Sequence, residues 1–190
     1  MYIEPLVPGC LYHIYNRGIN GETIFKDEWS YERFIVKYEQ YCGDVFNTFA
    51  YNLLGNHFHI IAQVKPELSR CINDDIELRL DASRQFGHLC NSHAQYVNKK
   101  YDRTGSIFES PFHRKCISSD AYLITALFYT HNNAKRHGFV DDFREWPYSS
   151  YHAIIGNEPT FLSRELVLEW FGGRDQFIKF HLQSVDPVRV

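Results

Sequence analysis

An alternating strand, a helix, two strands joined by a Gly-Asn pair, a second helix, a short basic strand and a third helix follow one another here. That order predicts an α+β protein with a ferredoxin-like (RRM-like) antiparallel sheet, helices on one face and one extra helix. Three observations support the reading. Strand-like segments show period-two alternation, helix-like segments show the 3.6 period, and Gly, Pro and Asn stand between them.

The first strand is expected over Cys10–Asn16, alternating around Leu11, His13 and Tyr15 and ending at Arg17-Gly18. Asp27–Tyr41 carries Phe34, Ile35, Tyr38 and Tyr41 at helical spacing. Phe49–Leu54 and His57–Val64 are β-prone runs separated by Gly55-Asn56, a pair suited to a two-residue hairpin turn in which Gly takes a positive φ. In the second run successive side chains alternate between faces. His57, His59, Ile61 and Gln63 therefore share one face, and the apolar set Phe58, Ile60, Ala62 and Val64 forms the core face. Two neutral imidazoles roughly 7 Å apart along a strand can close on one divalent metal. A bare H-x-H also reads as a solvated sheet face that happens to carry two histidines.

Lys65–Glu77 reads as a polar loop whose acids Asp74, Asp75 and Glu77 are solvated. Leu78–Tyr101 is the longest helical candidate, striped by Leu80, Phe86, Leu89, Cys90, His93 and Val97, with Lys99-Lys100 where the helix dipole favours cations. Ser106–Ile117 is β-prone and basic at Arg114-Lys115. From Arg84 to Arg136 eight Lys or Arg stand against three Asp or Glu. That local surplus beside Tyr101, Phe108 and Phe112 suits a groove along a phosphate backbone, or equally a solvated helix end.

Ser118-Ser119-Asp120 offers caps for a helix over Ala121–Asn133. At 100° per residue Leu123, Ile124, Leu127, Phe128 and His131 form its expected packed side. Tyr122, Ala126, Tyr129 and Asn133 fall opposite, on a face the local core does not need. Beyond Trp146–Ser150, a turn entering a short helix, Ser163 can cap a helix through Phe171 that Gly172-Gly173 stops. A short helix can follow from Arg174, and 185–190 should fray.

The 190 residues suffice for one sizeable domain, with 44% hydrophobic and 23% charged residues in the ordinary globular range. A net charge of −3 argues against a uniformly basic nucleic-acid binder, though not against charge segregated by face. Five cysteines with no C-x-x-C pair suit reduced cytosolic usage, neither a disulfide framework nor a Cys-rich zinc site. With no long apolar run and no signal peptide at Met1, the expectation is a cytoplasmic protein with no membrane partner.

Five segments in this order resemble one family. They are Tyr12–Gly18, Leu54–His59, Arg103–Phe108, the run Tyr129–Ala134 with His137–Val140, and Trp146–Ser150. The chain is similar to the HUH single-tyrosine transposases, in particular their REP-associated branch. Family members usually have Pro where this chain has Gly55 and Asn-Pro where it has Asn133-Ala134. The resemblance implies a transposase domain over 1–150, with 151–190 a helical extension of it. It also implies a metal-dependent transesterase that nicks and rejoins single-stranded or hairpin DNA without ATP, in a bacterial, nucleoid-associated setting. By the resemblance, Tyr129 is the nucleophile of a 5′-phosphotyrosine intermediate, and His57, His59 and Asn133 are the protein's metal ligands. A ligand set of N and O without thiolate fits Mg²⁺ or Mn²⁺. Arg17, Arg103, Arg114 and Lys115 are the DNA-backbone candidates, and monomer or homodimer is left open. A nucleobase deaminase would want H-x-E with P-C-x-x-C, which is absent. The other readings are a non-catalytic single-stranded nucleic-acid module and a metal-dependent nuclease.

Overall fold

The computed structural model of the protein describes residues 4–73 and 76–183. Its main sheet has four antiparallel strands, β1 (Leu11–Arg17), β2 (Phe46–Leu54), β3 (His57–Val64) and β6 (His113–Ile117), in the order β2-β3-β1-β6. That is the ferredoxin-like order, with β1 and β3 at the centre. Helices α1 (Glu28–Cys42) and α2 (Ala82–Lys100) cover one face, and α3 (Asp120–Arg136) lies over the other.

Local chemistry sets the element ends. Asp27 and Ser30 exchange side-chain and backbone hydrogen bonds, closing a capping box that starts α1 one residue later than the apolar pattern suggests. The Asp81 carboxylate accepts the Arg84 N–H at 2.7 Å, so α2 starts at Ala82 rather than Leu78. Leu78 and Arg79 belong instead to a separate hairpin of β4 (Ser69–Asn73) and β5 (Ile76–Arg79), where a loop was expected. Asp74, Asp75 and the stretch 185–190 lie outside the described residues. Ser119 caps α3 through the Tyr122 N–H.

The Gly55-Asn56 turn forms, yet neither residue takes a positive φ. The turn is held from outside. Gly55 C=O accepts the Ile24 and Phe25 N–H groups at 2.8 and 3.0 Å, and Asn56 C=O accepts that of Gly18 at 2.8 Å. These bonds replace the twist-matching geometry of an isolated hairpin turn. A Cβ at Gly55 would meet nothing closer than Phe139 at 3.6 Å, so the position does not require glycine.

Two cores follow from the sheet's two faces. Phe58, Ile60, Ala62 and Val64 of β3 pack with Ile14, Phe34, Tyr38, Phe86 and Leu89 beneath α1 and α2. Ile61, Phe49 and Ala50 pack with Leu123, Ala126 and Leu127 of α3. This second core continues into the C-terminal helices α4 (Tyr151–Ile155), α5 (Arg164–Phe171) and α6 (Arg174–Leu182), through Tyr151, Ile154, Val167 and Phe177. Gly172 ends α5 in the left-handed region at φ 79°.

The helix-wheel expectation for α3 needs correcting. Every residue from Ala126 to Ala134 is buried, Tyr129 and Asn133 included, at 6% and 7% exposure. The wheel assumes one packed side. Here the sheet covers one side of α3, and α6 with the 3-10 turn at Phe143–Glu145 covers another.

Candidate functional site

Cross-strand register assembles the site. On the α3 side of the sheet His57 lies opposite Arg17 and Leu54, and His59 opposite Tyr15 and Asn52. Beyond β1, Tyr15 pairs with His113 and His13 with Lys115. Paired residues share a face, so period-two alternation gathers His13, His57, His59 and His113 on one surface. Tyr15 stacks on His113 at 5.2 Å and on His59 at 5.9 Å between ring centroids.

A cavity of about 730 Å³ opens beside this surface, lined in part by Tyr15, Arg17, His57, His59, Glu109 and His137. The rings of His57 and His59 are 5.2 Å apart, and His137 lies 4.8 Å from His57. Both Nδ1 atoms of the pair are engaged. His57 Nδ1 donates to Asn56 Oδ1 at 2.7 Å, and His59 Nδ1 meets His13 Nε2 at 2.8 Å. Burial, followed by the charges of His137 and Arg17, lowers the His57 pKa to about 4. Burial, followed by the neighbouring histidines and Arg136, holds His59 well below the ordinary value. Both rings are therefore neutral at pH 7, the form that ligates metals.

Asn133 and Tyr129 do not line this cavity. They precede His137 at four-residue intervals, so Tyr129, Asn133 and His137 form one row along α3. The row is pinned over the sheet. Asn52, the cross-strand partner of His59, donates from its buried amide to Thr130 C=O at 2.8 Å. Tyr129 borders a second hollow of about 620 Å³, with Asn132, Lys135 and Arg136. The Arg136 guanidinium lies 4.5 Å over the Tyr129 ring, and its charge also acts on His59 and His137. Among the described residues, no three His, Cys, Asp or Glu side chains are arranged to hold a metal ion. Asn133 is an amide, a donor outside that set, and it stands one turn before His137 in the row.

Three of the four cationic candidates stand on strands and separate by parity, and the fourth, Arg103, follows α2. Arg17 lines the cavity, exposed and paired with Glu109 at 2.6 Å. Lys115 shares that face, its Nζ 5.0 Å over the Tyr122 ring. Arg114 points to the opposite face, where it stacks on Phe112 at 4.0 Å and donates to Ser83. Arg103 is held by Glu22 and Asn98 at the far end of α2. Of the four, Arg17 and Lys115 belong to the site's surface. The sequence reading gave no role to His13, Asn56, Arg136 or His137. Asn56 stands next to His57 in the sequence, but only strand register or helix phase joins His13, Arg136 and His137 to the H-x-H strand, and a linear motif displays neither.

Behind the row lies a buried polar chain. Phe177 C=O accepts from His181 Nδ1 at 2.9 Å, which leaves His181 Nε2 to accept from His131 Nδ1 at 2.9 Å. His131 Nε2 then accepts the Ser150 hydroxyl at 2.8 Å, and Ser150 Oγ accepts the Tyr51 N–H at 2.9 Å. The chain joins α6, α3 and β2 one residue before Asn52. His131 is therefore core, as the wheel suggested.

No family model matches the chain. A Haemophilus influenzae protein described as a REP-associated tyrosine transposase is 31% identical over 128 residues, covering 64% of this chain and 68% of the relative. Among solved structures, a REP-associated tyrosine transposase bound to a REP hairpin superposes with a TM-score of 0.61 at 16% identity. That match covers 86% of this chain and 95% of the other, and it establishes the shared fold. The fold is thus one used by DNA transposases. By its sequence relative the chain belongs to the REP-associated tyrosine transposase family. Among the described residues no helix is long and apolar enough to cross a membrane.

Proposed function

We propose that the protein is a metal-dependent single-stranded DNA transesterase acting at hairpin-forming repeats. The observation that carries this is the pair His57 and His59. Both rings are neutral with Nδ1 engaged, and they stand at the end of the row that carries Tyr129 and Asn133. A Mg²⁺ or Mn²⁺ ion held by His57 Nε2, His59 Nε2 and Asn133 would polarise the non-bridging oxygens of the scissile phosphate. Tyr129 Oη attacks phosphorus, the bond from phosphorus to the 3′ oxygen breaks, and that oxygen takes up a proton and leaves as a 3′-OH. The phenol's proton passes to solvent. The new phosphotyrosine ester retains the phosphodiester's energy, so a second 3′-OH can reverse the step and rejoin a strand. Arg136 beside the Tyr129 ring supplies positive charge where the phosphate must sit.

The test is incubation of the protein with a labelled DNA hairpin carrying single-stranded flanks and Mg²⁺ or Mn²⁺, then a denaturing gel. A covalent adduct is expected. His57→Ala should abolish it and weaken Mn²⁺ binding by at least about 100-fold, the upper end of what losing only an outer partner costs. Cleavage without an adduct would make the chain a metal-dependent nuclease. Binding without cleavage would leave a non-catalytic single-stranded nucleic-acid module.

Hairpin affinity should fall steeply with salt despite the net charge of −3. Lys115→Ala should flatten the slope of log K against log salt by about one, whereas Arg114→Ala should leave it unchanged. Equal slopes for the two variants would remove the division of the cations by sheet face.

A further inference from the structure

Resting on the metal-site reading above, we infer that His13 is a positioning residue for His59. It accepts the His59 Nδ1 proton and so presents the His59 Nε2 lone pair to the metal. Two facing imidazole nitrogens 2.8 Å apart share a single proton. If His59 Nδ1 carries it, Nε2 is a lone pair aimed away from β1, free to ligate. If His13 Nε2 carries it, His59 holds its own proton on Nε2 and cannot ligate there. The partner's tautomer therefore decides whether the H-x-H pair can close on one ion.

The neighbouring histidine shows the same arrangement with a fixed sense. Asn56 Oδ1 can only accept, so His57 must donate from Nδ1 and keep Nε2 unprotonated. His13 does for His59 what Asn56 does for His57. Its place is held by the sheet, because β1 and β3 pair residue by residue from Leu11 opposite Gln63 to Arg17 opposite His57. His13 stands opposite Ile61, diagonal to His59, and Tyr15 flanks both rings at 5.0 and 5.9 Å. Nothing else in the proposed chemistry uses His13.

The test uses His13→Phe, which keeps a flat ring and loses the acceptor, and His13→Gln, whose Oε1 can still accept. Mn²⁺ affinity is read by calorimetry on the full chain, and the His59 tautomer by long-range ¹H–¹⁵N NMR without metal. The inference expects His59 protonated on Nδ1 in the parent protein and a ~10–100-fold weaker Mn²⁺ affinity in His13→Phe. It also expects partial recovery in His13→Gln, with all three proteins melting cooperatively. A His59 proton on Nε2 in the parent, or His13→Phe affinity within twofold of the parent, overturns it. Failure of the metal site itself looks different. There the parent binds no Mn²⁺, or His57→Ala and His59→Ala bind it as the parent does, and the role of His13 falls with the site.

Discussion

Tyr129→Phe should form no protein–DNA adduct and lose at least about 10³-fold in strand cleavage, while its hairpin affinity stays within about twofold of the parent. The substitution removes one hydroxyl from a ring that is 6% exposed and leaves the ring itself in place. Arg136 can still stack on that ring, so the cation–π contact, worth about 0.5–1 kcal/mol, persists. Tyr122→Phe is the control. Tyr122 lies two turns earlier on α3, about 10 Å along the axis, beside Lys115. Among the described residues its buried hydroxyl has no hydrogen-bond partner, so removing it should leave stability unchanged or raised, and adduct yield unchanged. If Tyr129→Phe cuts at the parent rate, the attacking group is an activated water or another side chain. Arg136→Ala refines the comparison. It should slow adduct formation and leave Tyr129 in place, since the row is held by Asn52 and by the buried chain through His131.

The β3 strand was legible because one strand records its own alternation. Four apolar residues on one face and two histidines on the other require no knowledge of neighbours, and His57 and His59 do share a face. The ferredoxin-like architecture was legible from the succession of strands and helices along the chain. What failed depended on partners. The wheel for α3 set Tyr129 and Asn133 on a face free of packing, because it could not show that α6 and Phe143 close over the helix from a second direction. Leu78 and Arg79 carry nothing that marks them as a hairpin rather than the first turn of α2, and the Asp81 cap decides the matter. Arg114 and Lys115 looked equivalent in the sequence. Neighbouring strand residues face opposite ways, and only the register with β1 shows which of them faces the histidines.

Stability should fall between pH 7 and pH 5 by several kcal/mol, because the protein buries neutral histidines remote from the proposed metal site. His181 sits among Phe177, Tyr151, Phe143 and Phe171 with His131 as its polar partner, and burial lowers its pKa to about 4. On the opposite side of the sheet, His93 donates to Ile24 C=O amid Phe25, Phe34 and Phe108. Burial lowers its pKa to about 4 as well, with Arg33 pushing the same way and Asp27 against it. A histidine depressed in the folded state binds fewer protons than in the unfolded chain once pH drops below about 6.5. Its contribution is therefore complete above that value and is lost progressively as pH falls toward the folded pKa. At pH 5 the two groups together cost on the order of 4 kcal/mol, a large share of the 5–15 kcal/mol typical of a domain. Protonating His181 would also set its Nε2–H against His131 Nδ1–H, breaking the chain that joins α6 to the tyrosine helix. Urea unfolding at pH 7 and pH 5 checks this, with His93→Phe and His181→Phe each expected to lose part of the pH dependence. An unfolding free energy equal at the two pH values, to within about 1 kcal/mol, would mean that the buried imidazoles protonate in the folded state without disrupting it.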